Sequence, residues 1–368
     1  MNRKLMFLIP FLLAACLNHP TYSTYKLIDF DSGGCYTGAF VNWQTVDDGN
    51  KWKTTDADLK EYEKMTGRNL AIVASYLAFS QDGKPYSFPI DLYDTVRDNG
   101  SILMLTWEPR DWDTSDPLYF KESMLPSIID GKYDAYIDQW AADIKKLDGP
   151  IMLRFAPEMN IDNFAWSGAR NGGGKKDGFG DPNVPDGPET YVAAYRHVHD
   201  RFESAGVDNV LWVWTPVLWG MPFEPWNHYT NYYPGADYVD IVAMDEYNWG
   251  TSQGWSQWKS FNEMYWQLYS ELTSLYPDKT LIIGEFASSE KGGNKASWIK
   301  KAFSDMKEKY PKIKAFVWLN TDNRNETVNN LLENSDWRIN SSDQSADAAK
   351  EALSDKYFLD QPILIHNQ

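Results

Sequence analysis

Cysteine is nearly absent from this 368-residue chain: Cys16 and Cys35 are the only two. A disulfide-stapled scaffold is therefore excluded, and His, Cys and Asp nowhere gather at metal-ligand spacing. Long apolar runs are missing as well. Leu5 to Leu13 offers about nine residues where a membrane span needs about 20, and no later run reaches spanning length. Positive charge is scarce: 35 Lys and Arg stand against 52 Asp and Glu, a formal net charge of −17. Such a surface argues against nucleic acid and acidic polymers as partners and suits a neutral one. No G-x-G-x-x-G or G-x-x-x-x-G-K-[ST] follows an apolar run, which weakens a doubly wound nucleotide-binding sheet. No G-x-S-x-G is present, so a nucleophilic serine of the α/β-hydrolase kind is not expected.

Residues 1–15 read as an export signal. Arg3 and Lys4 give the positive end, the short apolar stretch follows, and Leu13-Ala14-Ala15-Cys16 closes it. Small residues before a cysteine resemble a bacterial lipobox, which implies a lipidated Cys16 and a protein exported and anchored to the outer membrane or cell surface. Each lipid methylene buried contributes about 0.8 kcal/mol to such an anchor. Residues 16–32 then read as a polar tether, and 33–362 as one catalytic domain. With Cys16 lipidated, Cys35 has no partner and reads as a small buried apolar residue.

Eight short, β-branched-rich apolar runs recur after that: Tyr36–Val41, Leu70–Tyr76, Ile102–Thr106, Ile151–Phe155, Val210–Trp214, Val239–Met244, Thr280–Gly284 and Ala315–Leu319. They are continuous rather than alternating, as strands buried on both faces are. Amphipathic helices are expected over Asp56–Thr66, Pro89–Asn99, Tyr133–Lys146, Thr190–Ala205, Ser256–Ser274 and Lys295–Lys309. Eight strands alternating with helices predict an α/β fold, a (β/α)₈ TIM barrel. A monomer is expected.

In a barrel, residues just past the strand ends converge on one cleft. These are Trp43, Trp107-Glu108, Glu158 with Asn160, Thr215, Asp245-Glu246-Tyr247, Glu285 and Asn320. A glycine-rich stretch, Asn160 to Pro188, follows the strand that leads to Glu158; a loop this long in a compact domain is usually functional. Glu158 and Glu285 each close an apolar run, and two acids facing one cleft are the minimum equipment for cleaving a glycosidic bond. Glu108 with Glu246 is a formal competitor, since those strands are also three apart. Arg154 favours the first pair: a guanidinium inside an apolar strand needs a carboxylate, and Glu285 is the candidate. That contact would hold Glu285 ionised. Glu158, beside a negative charge and partly desolvated, would stay protonated. The 17 tryptophans and 22 tyrosines supply flat faces of the kind that stack on sugar rings.

Arg154-Phe-Ala-Pro-Glu-Met-Asn160 and Ile282-Ile-Gly-Glu-Phe286 resemble the acid/base and nucleophile motifs of glycoside hydrolase family 26, a family of retaining (β/α)₈ enzymes. Leu105 to Pro109, Leu211 to Pro216, Val239 to Trp249 and Phe316 to Trp318 agree, in strand order. The resemblance implies Glu158 as general acid/base and Glu285 as nucleophile. It also implies Tyr247 as the tyrosine that hydrogen-bonds the nucleophile, and Trp318 as the aromatic floor under the cleaved sugar. Trp107 and Trp166 match positions usually lining sugar subsites. No cofactor or metal is implied. Where the family usually has histidine before the acid, this chain has Pro157, so whatever that side chain supplies is either missing or comes from elsewhere, for which Asn160 is the candidate. The implied activity is that of a retaining endo-β-glycosidase acting on β-mannan, β-glucan, β-xylan or a bacterial exopolysaccharide. A non-catalytic polysaccharide-binding lipoprotein and a transglycosylase acting on the cell's own exopolysaccharide remain the alternatives.

Overall fold

The computed structural model describes residues 25–41, 54–112, 123–324 and 334–366, together with 327–328 and 331–332. Cys16, the export signal and Trp43 lie outside these residues. The core is a barrel of eight parallel strands: β1 (Cys35–Val41), β2 (Ile72–Gln81), β3 (Ile102–Trp112), β4 (Ile151–Phe155), β5 (Val210–Trp214), β6 (Ile241–Asn248), β7 (Thr280–Ser288) and β8 (Ile313–Asn320). Each pairs with the next, and β8 closes on β1 with Ala315 opposite Tyr36 through to Asn320 opposite Val41. The strands carry almost no alternation of burial because both faces are covered, by the barrel interior and by the helices outside.

Those helices are α1 (Asp56–Thr66), α2 (Ile90–Asp98), α3 (Asp134–Ile144), α4 (Asp186–Ser204), α5 (Phe261–Leu275), α6 (Lys295–Glu308) and α7 (Asp343–Leu353). Their ends follow local chemistry. Thr55 and Asp58 form a capping box that starts α1, and Gly67 ends it at φ 72°, a left-handed turn open to a residue without Cβ. Ser260 and Glu263 form a second capping box, so α5 begins at Phe261 rather than at Ser256 as the apolar spacing predicts. Between β5 and β6 no α-helix forms. Three short 3₁₀ turns, Pro225–Asn227, Tyr229–Tyr232 and Ala236–Tyr238, carry the chain instead.

Two predicted boundaries are corrected. The stretch expected to be a tether is structured from Tyr25: Tyr25–Ile28 pairs antiparallel with Leu364–His366, beyond the expected domain end at 362. Burial of Ile28 and the Tyr36 hydroxyl donating to the Asp29 carbonyl at 2.6 Å hold it there. In addition, β3, β6 and β7 run four to six residues past their apolar segments, so Trp107, Glu108, Asp245, Glu246, Tyr247 and Glu285 lie within strands rather than after them. Cys35 is fully buried in the core, and that burial pushes its thiol pKa up, away from reactivity. Among the described residues no helix is long and apolar enough to cross a membrane.

Candidate active site

Arg154 organises the barrel mouth. It points inward from β4 and is completely buried. Its Nε donates to Thr106 Oγ1 at 2.8 Å, its Nη1 to Asp245 Oδ2 at 2.9 Å, and its Nη2 to Glu285 Oε1. A buried guanidinium tolerates this position because every edge of its fork has an acceptor. Gly284 makes room: a Cβ there would stand 2.6 Å from Asp245 Oδ1 and 3.1 Å from Arg154 Nη1. The glycine before the nucleophile candidate is thus fixed by the ion pair beside it.

Glu285 is reached from three sides. Besides Arg154, Tyr247 donates its hydroxyl to Oε2, and the Tyr76 hydroxyl hydrogen-bonds the same carboxylate. Burial opposes ionisation, but Arg154 and these hydrogen bonds outweigh it and hold the Glu285 pKa below its ordinary value. Asp245, paired with the same arginine, goes the other way. Its burial and the nearby charges of Glu285 and Glu158 push it up against the pull of Arg154.

Glu158 arrives by a different route. Regular alternation would put residues 154, 156 and 158 on one face, but β4 stops at Phe155. Ala156 and Glu158 both take left-handed backbone, at φ 48° and 54°, around Pro157. Non-glycine residues hold such angles only when their surroundings over-determine them, and sites of chemistry are where this occurs. Here the Glu158 N–H donates to the Thr215 carbonyl at the end of β5 at 2.7 Å, and Trp166 Nε1 donates to the Pro157 carbonyl at 2.7 Å. The side chain is half-buried. Burial, followed by the charge of Glu285, raises its pKa to about 8 despite Arg154. One carboxyl held ionised and one held protonated is the division of labour that acid-assisted nucleophilic displacement requires.

The competing pair does not assemble. Glu108 is taken by Arg110 Nη2 at 2.6 Å, and Glu246 faces Lys259 at 4.0 Å on the helix side of β6. Several expected binding residues are also placed elsewhere. Trp107 points out of the barrel and stacks on Trp140 of α3 at 4.3 Å and 16°, because Thr106, its neighbour in the extended strand, points inward to Arg154. Trp166 is buried, stacked on Phe164 at 4.7 Å, and braces the Glu158 turn rather than offering a free face. Trp318 is buried against Phe286 and Trp298 on the side of β8 that faces α6, with Nε1 donating to the Trp337 carbonyl at 2.8 Å. Asn160 spends its side chain on Val217, donating to its carbonyl at 2.8 Å and accepting its N–H at 3.1 Å, so it cannot substitute for a missing histidine.

Two residues of the site carry weaker sequence signals. Trp337, in the β8–α7 connection, packs 5.2 Å from Tyr247 and 4.9 Å from Trp249. No strand or helix pattern marks it. Tyr76, the last residue of a predicted apolar run, reads as core but lies under Arg154, whose guanidinium carbon is 5.6 Å from its ring centre.

The raised Glu158 pKa sets a pH dependence. A step that uses Glu158 as an acid is expected to slow as pH rises past about 8, where this carboxyl gives up its proton. Because the folded-state pKa exceeds the unfolded one, Glu158 also lowers stability progressively between about pH 4.3 and 8. Glu158→Gln therefore unfolds at a higher temperature than wild type at pH 8, while at pH 4 the two midpoints converge. Thermal melts at both pH values and a kcat/KM–pH profile check this.

Residues 121–277 match the family model described as Glycosyl hydrolase family 26. The chain is 35% identical over 333 residues to endoglucanase H of Acetivibrio thermocellus, covering 89% of this chain and 32% of that protein. It is 27% identical over 231 residues to a mannan endo-1,4-beta-mannosidase of Bacillus subtilis, covering 60% of this chain and 55% of that one. This chain therefore spans about a third and about half of those two relatives. Among solved structures, a GH26 beta-mannanase from Bacteroides ovatus superposes with a TM-score of 0.59 at 18% identity, covering 90% of this chain and 91% of that chain. The shared fold is the (β/α)₈ barrel described above.

Proposed function

We propose, from the relationship of this chain to glycosyl hydrolase family 26, that it is a retaining endo-β-glycanase with Glu285 as nucleophile and Glu158 as acid/base. The observation that carries this reading is the Arg154 hub. One buried guanidinium holds Glu285 ionised, while Glu158, reached through a left-handed turn from the same strand, keeps its proton. Glu285 Oε attacks the anomeric carbon and Glu158 gives its proton to the departing oxygen. Glu158, now a carboxylate, takes a proton from water, and that water displaces Glu285 with a second inversion. Tyr247 and Tyr76 keep the carboxylate oriented for attack. The intact hub favours turnover over a binding-only protein, because a buried ion cluster of this size is costly to retain without use.

A β-glucan is the proposed substrate class. The similarity to an endoglucanase extends over 89% of the chain, against 60% for the mannanase. The test is proton NMR of the first products released from mixed-linkage β-glucan and from β-mannan. Early accumulation of the β-anomer on the glucan supports the proposal, and an initial α-anomer rejects the nucleophile assignment. Products larger than the starting oligosaccharide would favour transglycosylation.

Lipid anchorage at Cys16 belongs to the same proposal and rests on Leu13-Ala14-Ala15-Cys16. A Cys16→Ser variant is expected in the soluble fraction of cells whose wild-type protein sediments with membranes. Equal sedimentation of the two would reject it.

A further inference from the structure

The connection leaving β5 is the most exposed aromatic segment of the described surface, and no step of the proposed mechanism uses it. Trp219 is 54% exposed, Met221 57% and Phe223 77%. The Trp219 and Phe223 rings lie 5.6 Å apart. From Pro216 to Phe223 the chain has no charged side chain. Leaving this much apolar surface in water is unfavourable by about 25 cal/mol for each Å², so contiguous exposed aromatics mark a surface that meets something.

The segment is also fixed in place, and fixed to the acid. Thr215, where it begins, accepts the Glu158 N–H at 2.7 Å. Asn160, two residues past the acid, pairs with Val217 in both directions, and its carbonyl accepts the Met221 N–H at 2.8 Å. Asn227 Nδ2 joins the Asn160 and Pro222 carbonyls at 2.8 and 2.9 Å. Behind it, Trp226 lies flush on Gly174 of the glycine-rich loop, where a Cβ would come within 2.7 Å of the indole. Trp219 and Phe223 are therefore presented on a support that moves only if the acid moves. Such pre-organisation suits binding a flexible chain, since the protein loses little entropy on contact.

We infer that Trp219 and Phe223 form a stacking platform for the leaving-group half of a neutral β-glycan, deepening the glycanase reading on which it rests. The position follows from the chemistry. Glu158 protonates the oxygen of the departing half, so a surface anchored to the Glu158 turn and exposed beyond it meets that half of the chain. The chemistry of the patch fits the same occupant: two exposed aromatic faces match the C–H faces of uncharged pyranose rings, and Glu224, exposed beside Phe223, offers an acceptor to sugar hydroxyls. The platform binds sugars past the scissile bond and favours cleavage within a long chain over cleavage near its end.

Trp219→Ala/Phe223→Ala, with Trp219→Tyr as the conservative control, tests this on two substrates: mixed-linkage β-glucan, and 2,4-dinitrophenyl β-cellobioside, which has no sugar past the scissile bond. The ratio of polymer kcat/KM to aryl-glycoside kcat/KM is expected to fall about 10- to 100-fold in the double variant, mostly through KM, with most of it restored by Trp219→Tyr. The ratio holding at its wild-type value, whether both rates fall or neither does, overturns the platform. A change confined to self-association by light scattering, or to binding of phosphatidylglycerol vesicles, assigns the patch to another copy or to a membrane and overturns it as well. Should wild type cleave neither substrate, the catalytic reading fails separately. Electrophoretic retardation in gels containing the glucan then decides the platform, which stands if the double variant loses the retardation and falls if it does not.

Discussion

Glu285→Ala should lower kcat on the polymer by about 10⁴- to 10⁶-fold, the scale of loss when a covalent nucleophile that works as part of a unit is removed. Among the described residues the Glu285 carboxylate alone is held jointly by Arg154, Tyr247 and Tyr76 at the barrel mouth, so no described neighbour can take over. Asp245 lies on the same arginine but is driven toward its protonated form by burial and by the charges around it, which makes it a poor substitute. Truncation to alanine leaves a small space beside Arg154. Added azide should enter it and form the α-glycosyl azide in a single inversion, restoring part of the rate on an activated aryl glycoside. Full polymer activity in this variant would remove Glu285 from the mechanism. Absence of azide rescue, with an intact fold by circular dichroism, would argue that the alanine has collapsed the hub.

The second large effect belongs to a residue that touches no substrate in the proposed mechanism. Arg154→Met removes the cation that, among the described residues, alone bridges Glu285 and Asp245, leaving two carboxyls in a buried site. Breaking such a pair by deleting one partner costs about 3–5 kcal/mol. The pH dependence distinguishes this from a generic packing defect. In wild type the Glu285 pKa is depressed, so its contribution is present above about pH 4.3 and is lost as pH falls through the folded value. In Arg154→Met the carboxyl is raised instead, the folded state binds the extra proton, and stability grows as pH falls from 7 toward 5. Activity at pH 7 should drop by at least about 10²-fold, since a desolvated carboxyl without its counter-ion is mostly protonated there. Urea melts at pH 5 and pH 7 decide the matter: a variant less stable at pH 5 than at pH 7 would contradict the role given to Arg154.

The barrel was legible because eight continuous apolar runs can be buried on both faces in few other ways. Strands β4 and β5 fall where composition puts them, and α1 starts at its capping box. Strand ends were less legible. Polar residues such as Glu108, Asp245 and Glu285 read as loop, yet the ladder continues through them because Arg110 meets the need of Glu108, and Arg154 and Tyr247 those of Asp245 and Glu285. The extension of β3 through Trp107 turns that ring into the helix layer, opposite the inward Thr106, while Trp318 lies within a strand the sequence already marked but on its outer face. A one-residue difference in facing decides between a sugar platform and a core contact, and composition does not encode it.

The sequence by itself determined the architecture and singled out Glu158, Glu285 and Arg154 as charges set in or beside apolar runs. Each follows from a local cost: an apolar run must be buried, and a charge within one must be paired. Only the tertiary structure decided which aromatics face water. It also brought Glu158 to the site through a left-handed turn around Pro157, and it tied that turn to the Trp219–Phe223 segment through Asn160 and Thr215. Those outcomes depend on hydrogen bonds between backbone groups far apart in the chain, which every residue carries alike. No pattern of side chains along the sequence announces them.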